Sequence, residues 1–369
     1  MVCHTGNSLT ATVWGKVVEM STNNRQWRVA GYPRANEPVG LQHFDWTSES
    51  MPEPADGEFL VRTICLAPGP AQRGYLEKGQ SAFFGEPIPV GEVMRGRGVG
   101  EILASNHPDY QPGEIFLGSL GWQEYSLQKP IGSEFVFSTR KISKPRYPLS
   151  LHLGILGQAG GTAYFGLLEG AGIKHGDNAL ISAAAGGVGS VAGQVARNMG
   201  AASVIGIAGS AEKCAWLCNE LGYNAAINYK ADNLDKKLSE YFPDGIDVFL
   251  DNVGGDILNT ALAHLALNAR VAISGFISTQ YSAEQPTGPA NYPNLLFKRA
   301  RMQGFVYFDY WDRYEEAEQQ LCAWYDQGTL KDTEYPIDGL ENMPQALADL
   351  FSGNNRGISI CRVSPDKGG

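Results

Sequence analysis

Between residues 177 and 275 the chain alternates short apolar runs with amphipathic ones, and this rhythm limits the fold more than any other feature. "DNALISA", "ASVIGIA", "NAAINY", "IDVFLDNV" and "RVAISG" read as strands. The intervening segments 188–199, 211–221, 234–242 and 256–265 read as helices. The first of these carries Val188, Val191, Ala192, Val195, Ala196 and Met199 on one face. Apolar strands that each lead into a helix pack well only as a parallel sheet covered on both sides. The spacing therefore predicts a doubly wound α/β domain beginning near residue 151, with a further helix over 314–325 and a last strand near 357–363.

Upstream, over 57–127, short apolar runs are closed by Gly, Pro or Asn, the pattern of a small irregular β-barrel. Two domains suit 369 residues, and 43% hydrophobic residues suffice to bury both cores. The net charge of −10 comes without any Lys/Arg run, which argues against nucleic acid or an anionic membrane surface as a partner. No apolar stretch is long enough to span a bilayer. The six cysteines, Cys3, Cys65, Cys214, Cys218, Cys322 and Cys361, are sparse and irregular, as reduced thiols in a cytoplasmic protein would be. Residues 1–20 have no basic start and no cleavage signal, and read as a loose extension, with Met20 as an alternative start.

The segment "ISAAAGGVGSV" lies where the first of these strands passes into a helix. Aligned to G-x-G-x-x-G, it puts Ala184 in the first glycine position, followed by Gly186 and Gly189. The turn works if Ala184 keeps a negative φ. Gly186 admits a pyrophosphate to the backbone, Gly189 lets helix and strand pack closely, and the helix start offers free N–H groups. At the end of the next strand an NAD site normally has an acid for the ribose 2′-hydroxyl. This chain has Gly209, Ser210 and, one turn on, Lys213. Lys213 can be a solvated helix lysine or a cation for a 2′-phosphate. The missing acid favours the second reading, and with it NADPH.

The chain resembles the zinc-independent medium-chain dehydrogenases/reductases, and within them the NADPH-dependent double-bond reductases of the prostaglandin, alkenal/enone and curcumin reductase type. The resemblance rests on "NRQW", "VGEVMRGRGVGEILASNHPDY", "GWQEY", "GTAYFGLL", "SAAAGGVGS", "GIAGSAEKC", "GIDVFLDNVGG", "GPANY", "RMQGFVYFDY" and "GLENMPQAL", in order along residues 24–363. It implies a GroES-like β-barrel domain, 21–150 completed by 325–369, and a Rossmann domain, 151–324. It implies a homodimer as well. It places Gly186, Gly187, Val188 and Gly189 at the pyrophosphate, with Ser210, Lys213 and Tyr229 at the 2′-phosphate and adenosine ribose. Asn252, Ser278, Phe305 and Asn355 come around the rest of the cofactor, and Tyr281 beside the nicotinamide ribose and substrate. Three departures stand out, one of them the insertion of Gln280 directly before Tyr281. Ala71 replaces a tyrosine many relatives carry, although Tyr75 is near, and 355–358 reads Asn-Arg-Gly-Ile where relatives often have Asn-Leu-Gly-Lys.

The reaction implied is hydride delivery from NADPH to the β-carbon of an α,β-unsaturated carbonyl, with Tyr281 as candidate donor to the carbonyl oxygen. The same fold and cofactor could serve a quinone reductase, and a non-catalytic NADPH-binding protein is the reading from another class. No zinc ligand set is evident. Cys214 and Cys218 share a helix face without a His or acid to complete a site, and the six histidines are isolated. Trp122, Tyr164, Tyr292 and Tyr307 suit either cleft lining or core packing.

Overall fold

The computed structural model describes residues 3–5, 8–13, 16–20, 23–77, 85–129, 139–143, 146–278 and 288–366, the first three segments as backbone alone. The chain divides into two compact units. One comprises Met1–Leu153, Pro336–Leu350 and Ile360–Gly369; the other comprises Gly154–Tyr335 and Phe351–Ser359.

In the first unit, β1 (Cys3–Thr5), β2 (Ser8–Val13) and β3 (Lys16–Met20) pair antiparallel in sequence order. The described part of residues 1–20, expected as a loose extension, is these three short strands, which the weak apolar alternation of the sequence did not announce. β4 (Asn23–Val29) and β5 (Phe44–Ser50) form a ribbon in unbroken register from Asn23↔Ser50 to Val29↔Phe44. The larger sheet is built on β6 (Phe59–Ala67) and β7 (Arg97–Ser105), with β8 (Ile115–Ser119), β9 (Tyr125–Gln128) and β10 (Arg140–Ile142). The Phe59 ring, fully buried, stacks on Tyr110 at 4.2 Å and meets Phe116 edge-on at 5.1 Å, so aromatic packing anchors this core.

The second unit begins with α1 (Gln158–Phe165) and then alternates strand and helix: β11 (Asn178–Ile181), α2 (Gly187–Asn198), β12 (Ser203–Ala208), α3 (Ala211–Asn219), β13 (Ala225–Asn228), α4 (Leu234–Tyr241), β14 (Ile246–Asp251), α5 (Gly255–Ala263) and β15 (Leu265–Ile273). α6 (Asn294–Lys298), β16 (Arg301–Gly304) and α7 (Tyr314–Asp326) follow. Among the described residues the sheet is parallel, in the order β13-β12-β11-β14-β15-β16, so the strand order reverses between β11 and β14. Leu180, Ile205, Ile227, Phe249 and Val271 point from the strands into one core, against Leu238, Ile257 and Leu262 of the helices. The doubly wound α/β architecture is therefore as the periodicity required.

The chain then crosses between units through β17 (Glu334–Asp338), α8 (Met343–Ser352) and β18 (Ile358–Arg362). The return expected over 325–369 is divided. The Gln194 side chain accepts from Lys331 N–H at 2.8 Å, and Gly357 and Ile358 N–H donate to Ala185 O and Thr333 O at 2.8 and 2.9 Å. These bonds hold residues up to Tyr335, and again 351–359, in the second unit.

Candidate cofactor site

The phosphate loop begins at Ser182, where β11 ends. Ala184 keeps a negative φ, as its alanine side chain requires, but the preceding Ala183 adopts φ 45°. The left-handed residue of this turn is thus one position earlier than the glycine motif indicates, and a Cβ there is strained. Gly186 opens α2 in extended conformation and no side chain caps it. The N–H groups of the first turn consequently remain for an anion, at the positive end of the helix dipole. A Cβ on Gly189 would overlap the Ala183 carbonyl oxygen, so glycine is what allows helix and strand to touch. A Cβ on Gly187 would have its nearest neighbour, the Ile358 side chain, at 3.8 Å, an ordinary contact distance, so the helix start is not crowded at this position.

At the end of β12, Ser210 caps α3 by accepting from Lys213 N–H at 3.2 Å, which leaves its hydroxyl proton free to be donated. The Lys213 ammonium donates to Gly353 O at 2.7 Å. Burial, and after it the charge of Lys230, holds this ammonium below the ordinary lysine pKa. Tyr229 follows β13 and is 45% exposed, with its N–H on Ala208 O at 3.1 Å. The Lys230 ammonium lies 5.9 Å from the centre of the Tyr229 ring. Lys230 did not emerge from the sequence, although a lysine directly after the tyrosine was the available signal.

The end of β14 is tied to the same loop. Asp251, fully buried, accepts from Ser182 Oγ–H at 2.7 Å and from Val253 and Gly254 N–H at 3.0 Å each. Burial pushes its carboxyl up, against the pull of these donors. Asn252 donates its N–H to Ser182 Oγ and its side-chain amide to Ser182 O, both at 2.8 Å. Asp251 and Ser182 together fix Asn252 and the β14 turn, a role the motif "DNVGG" did not disclose. Ser278 reaches the same turn and donates to Val253 O at 2.6 Å.

Phe305 follows β16 and packs its ring where Gly166 and Gly170 leave space, and Asn355 is buried beside Gly357. The described candidates Gly186, Gly187, Val188, Gly189, Ser210, Lys213, Tyr229, Asn252 and Phe305 all follow the carboxyl ends of parallel strands, where such sheets hold ligands. Ser278 and Asn355 reach that end from later loops. Tyr281 lies outside the described residues. Tyr75 is buried in the first unit with Arg95 5.5 Å from its ring, and burial raises its phenol pKa. Trp122, Tyr164 and Tyr307 are buried core residues, while Tyr292 is 64% exposed. Among the described residues no three His, Cys, Asp or Glu side chains converge as a metal site. The thiols of Cys214 and Cys218 are held above their ordinary pKa chiefly by burial, which disfavours the thiolate a metal needs. No helix among them is long and apolar enough to cross a membrane.

Residues 187–323 match the family described as "Zinc-binding dehydrogenase" and residues 25–136 the "N-terminal domain of oxidoreductase". The zinc in the first description finds no ligand set in the described residues. The chain is 35% identical to the NADPH-dependent curcumin reductase of Escherichia coli over 94% of its own length and 99% of that protein's. It is 36% identical to the NADP(+)-dependent 2-alkenal reductase of Nicotiana tabacum, over 91% and 95%. The crystal structure of CurA from Vibrio vulnificus in complex with NADPH superposes with a TM-score of 0.85 at 34% identity, covering 93% of this chain and all of that one.

Proposed function

The chain belongs to the zinc-independent medium-chain dehydrogenases/reductases, in their NADPH-dependent double-bond reductase group, and on that premise we propose that it reduces the C=C bond of α,β-unsaturated carbonyl compounds, enones and alkenals, with NADPH. One observation carries the cofactor: a helix start that no side chain caps, beside a β12 end that offers a serine and lysines where NAD sites have an acid. The N–H groups of Gly187, Val188 and Gly189 hold the pyrophosphate, and Gly186 lets it approach. Ser210, Lys213 and Tyr229 hold the 2′-phosphate and adenosine ribose. Asn252, Ser278, Phe305 and Asn355 orient the remainder.

When bound, the cofactor supplies the hydride that the β-carbon receives. The chain's task is to hold the unsaturated carbonyl and to place a hydrogen-bond donor on its oxygen, where negative charge develops as the hydride arrives. We assign that donor to Tyr281. The α-carbon takes its proton from solvent or through a relay. The sparse and irregular spacing of the six cysteines supports a cytoplasmic setting. Among the described residues no strand pairs with the outer side of β16, and that edge of the second unit's sheet supports a homodimer.

The test is a panel of acceptors followed by NADPH absorbance. Enones and alkenals should be turned over with a higher kcat/KM than quinones, and NADPH should serve better than NADH. Preference for quinones would move the chain to the quinone reductases, and tight NADPH binding without turnover of any acceptor would make it a binding protein.

A further inference from the structure

We infer that Lys230 is a second cation for the cofactor's 2′-phosphate and shares with Lys213 the discrimination between NADPH and NADH. The inference rests on the NADPH reading above and adds a residue to it. Lys230 follows β13 and curls back over the end of β12. A methyl group placed on Gly209 would lie 3.4 Å from Lys230 Cε, 3.7 Å from its Nζ and 3.3 Å from the Tyr229 ring. The space left by the glycine, at the position where an NAD site would carry its acid, is thus walled by a cation and a phenol.

The surrounding charges favour an anion there. Of the two acids close in sequence, Asp232 accepts from Asn228 N–H at 2.9 Å, and Glu212 lies 3.8 Å from the Arg356 guanidinium and acts on Lys213 through its charge less than Lys230 does. Among the described residues neither Lys213 nor Lys230 pairs with a carboxylate. Burial first, and then the charge of Lys230, hold Lys213 below its ordinary pKa, and two ammonium groups placed this way destabilise the site while it holds no anion. A phosphate dianion relieves that repulsion and a ribose hydroxyl does not. The pair therefore raises affinity selectively for the phosphorylated cofactor. Gly209 and the exposed stem of Lys230 give the side chain room to close on the ligand.

The experiment compares Lys230→Gln, Lys230→Arg and Lys213→Ala with the wild-type protein. Dissociation constants are measured for NADPH, NADH, 2′,5′-ADP and 5′-ADP at two salt concentrations. Lys230→Gln should weaken NADPH and 2′,5′-ADP roughly threefold to thirtyfold, the range of a partly exposed charged hydrogen bond. NADH and 5′-ADP should be unchanged. Lys230→Arg should retain most of the affinity, and Lys230→Gln should flatten the salt dependence of NADPH binding. Unchanged NADPH and 2′,5′-ADP affinities in Lys230→Gln, beside a loss in Lys213→Ala, would overturn the role of Lys230 and leave the cofactor reading intact. Equal weakening of all four ligands would also overturn it, by making Lys230 a general structural contact. A wild-type protein with no preference for NADPH would overturn the cofactor reading and this inference with it.

Discussion

Ala183 and Ala184 are the same residue with opposite signs of one backbone angle: Ala184 keeps the negative φ the turn requires, and the left-handed position falls one residue before the glycine motif. Pattern matching assigns the missing glycine to Ala184, whereas the left-handed conformation belongs to Ala183. Ala183→Gly removes the strain on a Cβ at positive φ, roughly 1–2 kcal/mol, but adds freedom to the unfolded chain. The substitution should be neutral or stabilising by up to about 1 kcal/mol. Ala184→Gly relieves nothing and should destabilise by about 0.4–1 kcal/mol. Denaturant midpoints for the two variants decide this, and the reverse order would put the strain at Ala184. Lys230 and the Asp251–Ser182 bond were hidden for a similar reason: residue type and spacing do not show where a flexible stem curls or which hydroxyl a buried acid meets. The role of Tyr281 is testable on the same scale. Removing a donor aimed at developing charge costs about 10²–10³-fold in kcat when it acts alone, and water or a ribose hydroxyl would reduce that loss. Tyr281→Phe should therefore lower kcat and kcat/KM together and leave NADPH affinity intact. Unchanged single-turnover hydride transfer would show that the donor is elsewhere, and Tyr75 would be the next phenol to replace.

The elements that the periodicity made legible are those with one strong apolar face or two. β11, β12, β13 and β14, with the helices between them, start and stop within a few residues of where the pattern puts them, because Ser210 and Asn233 cap their helices and Gly222 closes one. β16 was invisible as a strand: "RMQG" has no apolar alternation and all four residues are exposed, so pairing to β15 alone defines it. The β14 turn shows what holds such ends in place. Asp251 there accepts three hydrogen bonds in a site fully closed to water. An asparagine of the same shape would turn its NH2 group toward at least one of those donors and leave a buried N–H or O–H unpaired. Asp251→Asn should destabilise the protein by about 1–3 kcal/mol. It should also weaken NADPH, because Asn252 shares Ser182 with Asp251. Thermal unfolding and cofactor titration check the two effects, and a stable variant with full affinity would reduce Asp251 to a bystander.

At the scale of the whole molecule, the sequence disclosed two fold types but not the path by which the chain ends. The rhythm of the residues changes near residue 151, and the compact units divide at Leu153/Gly154. The split return is not marked in the residues, because it depends on single long-range bonds such as Gly357 N–H to Ala185 O. The exposed edge of the parallel sheet carries the last prediction. β16 ends the strand order with its outer N–H and C=O groups unpaired by any described strand, and an open edge of this kind invites a partner strand. α6, which leads into it, shows Leu296 74% and Phe297 66% exposed, with Tyr292 at 64% just before it and Met302 at 38% on the strand itself. These exposed side chains, in α6, just before it and on β16, suit cover by a second copy of the chain, which would pair β16 with β16 across a two-fold axis. None of the four contributes to the hydrophobic core of the parallel sheet. Leu296→Glu with Phe297→Glu should therefore leave the fold and its thermal unfolding intact while placing like charges at the contact. Sedimentation at micromolar concentration should find a dimer for the wild-type chain and a monomer for the double variant. A wild-type chain that sediments as a monomer, or a variant that remains a dimer, would mean that this edge is not where two copies meet.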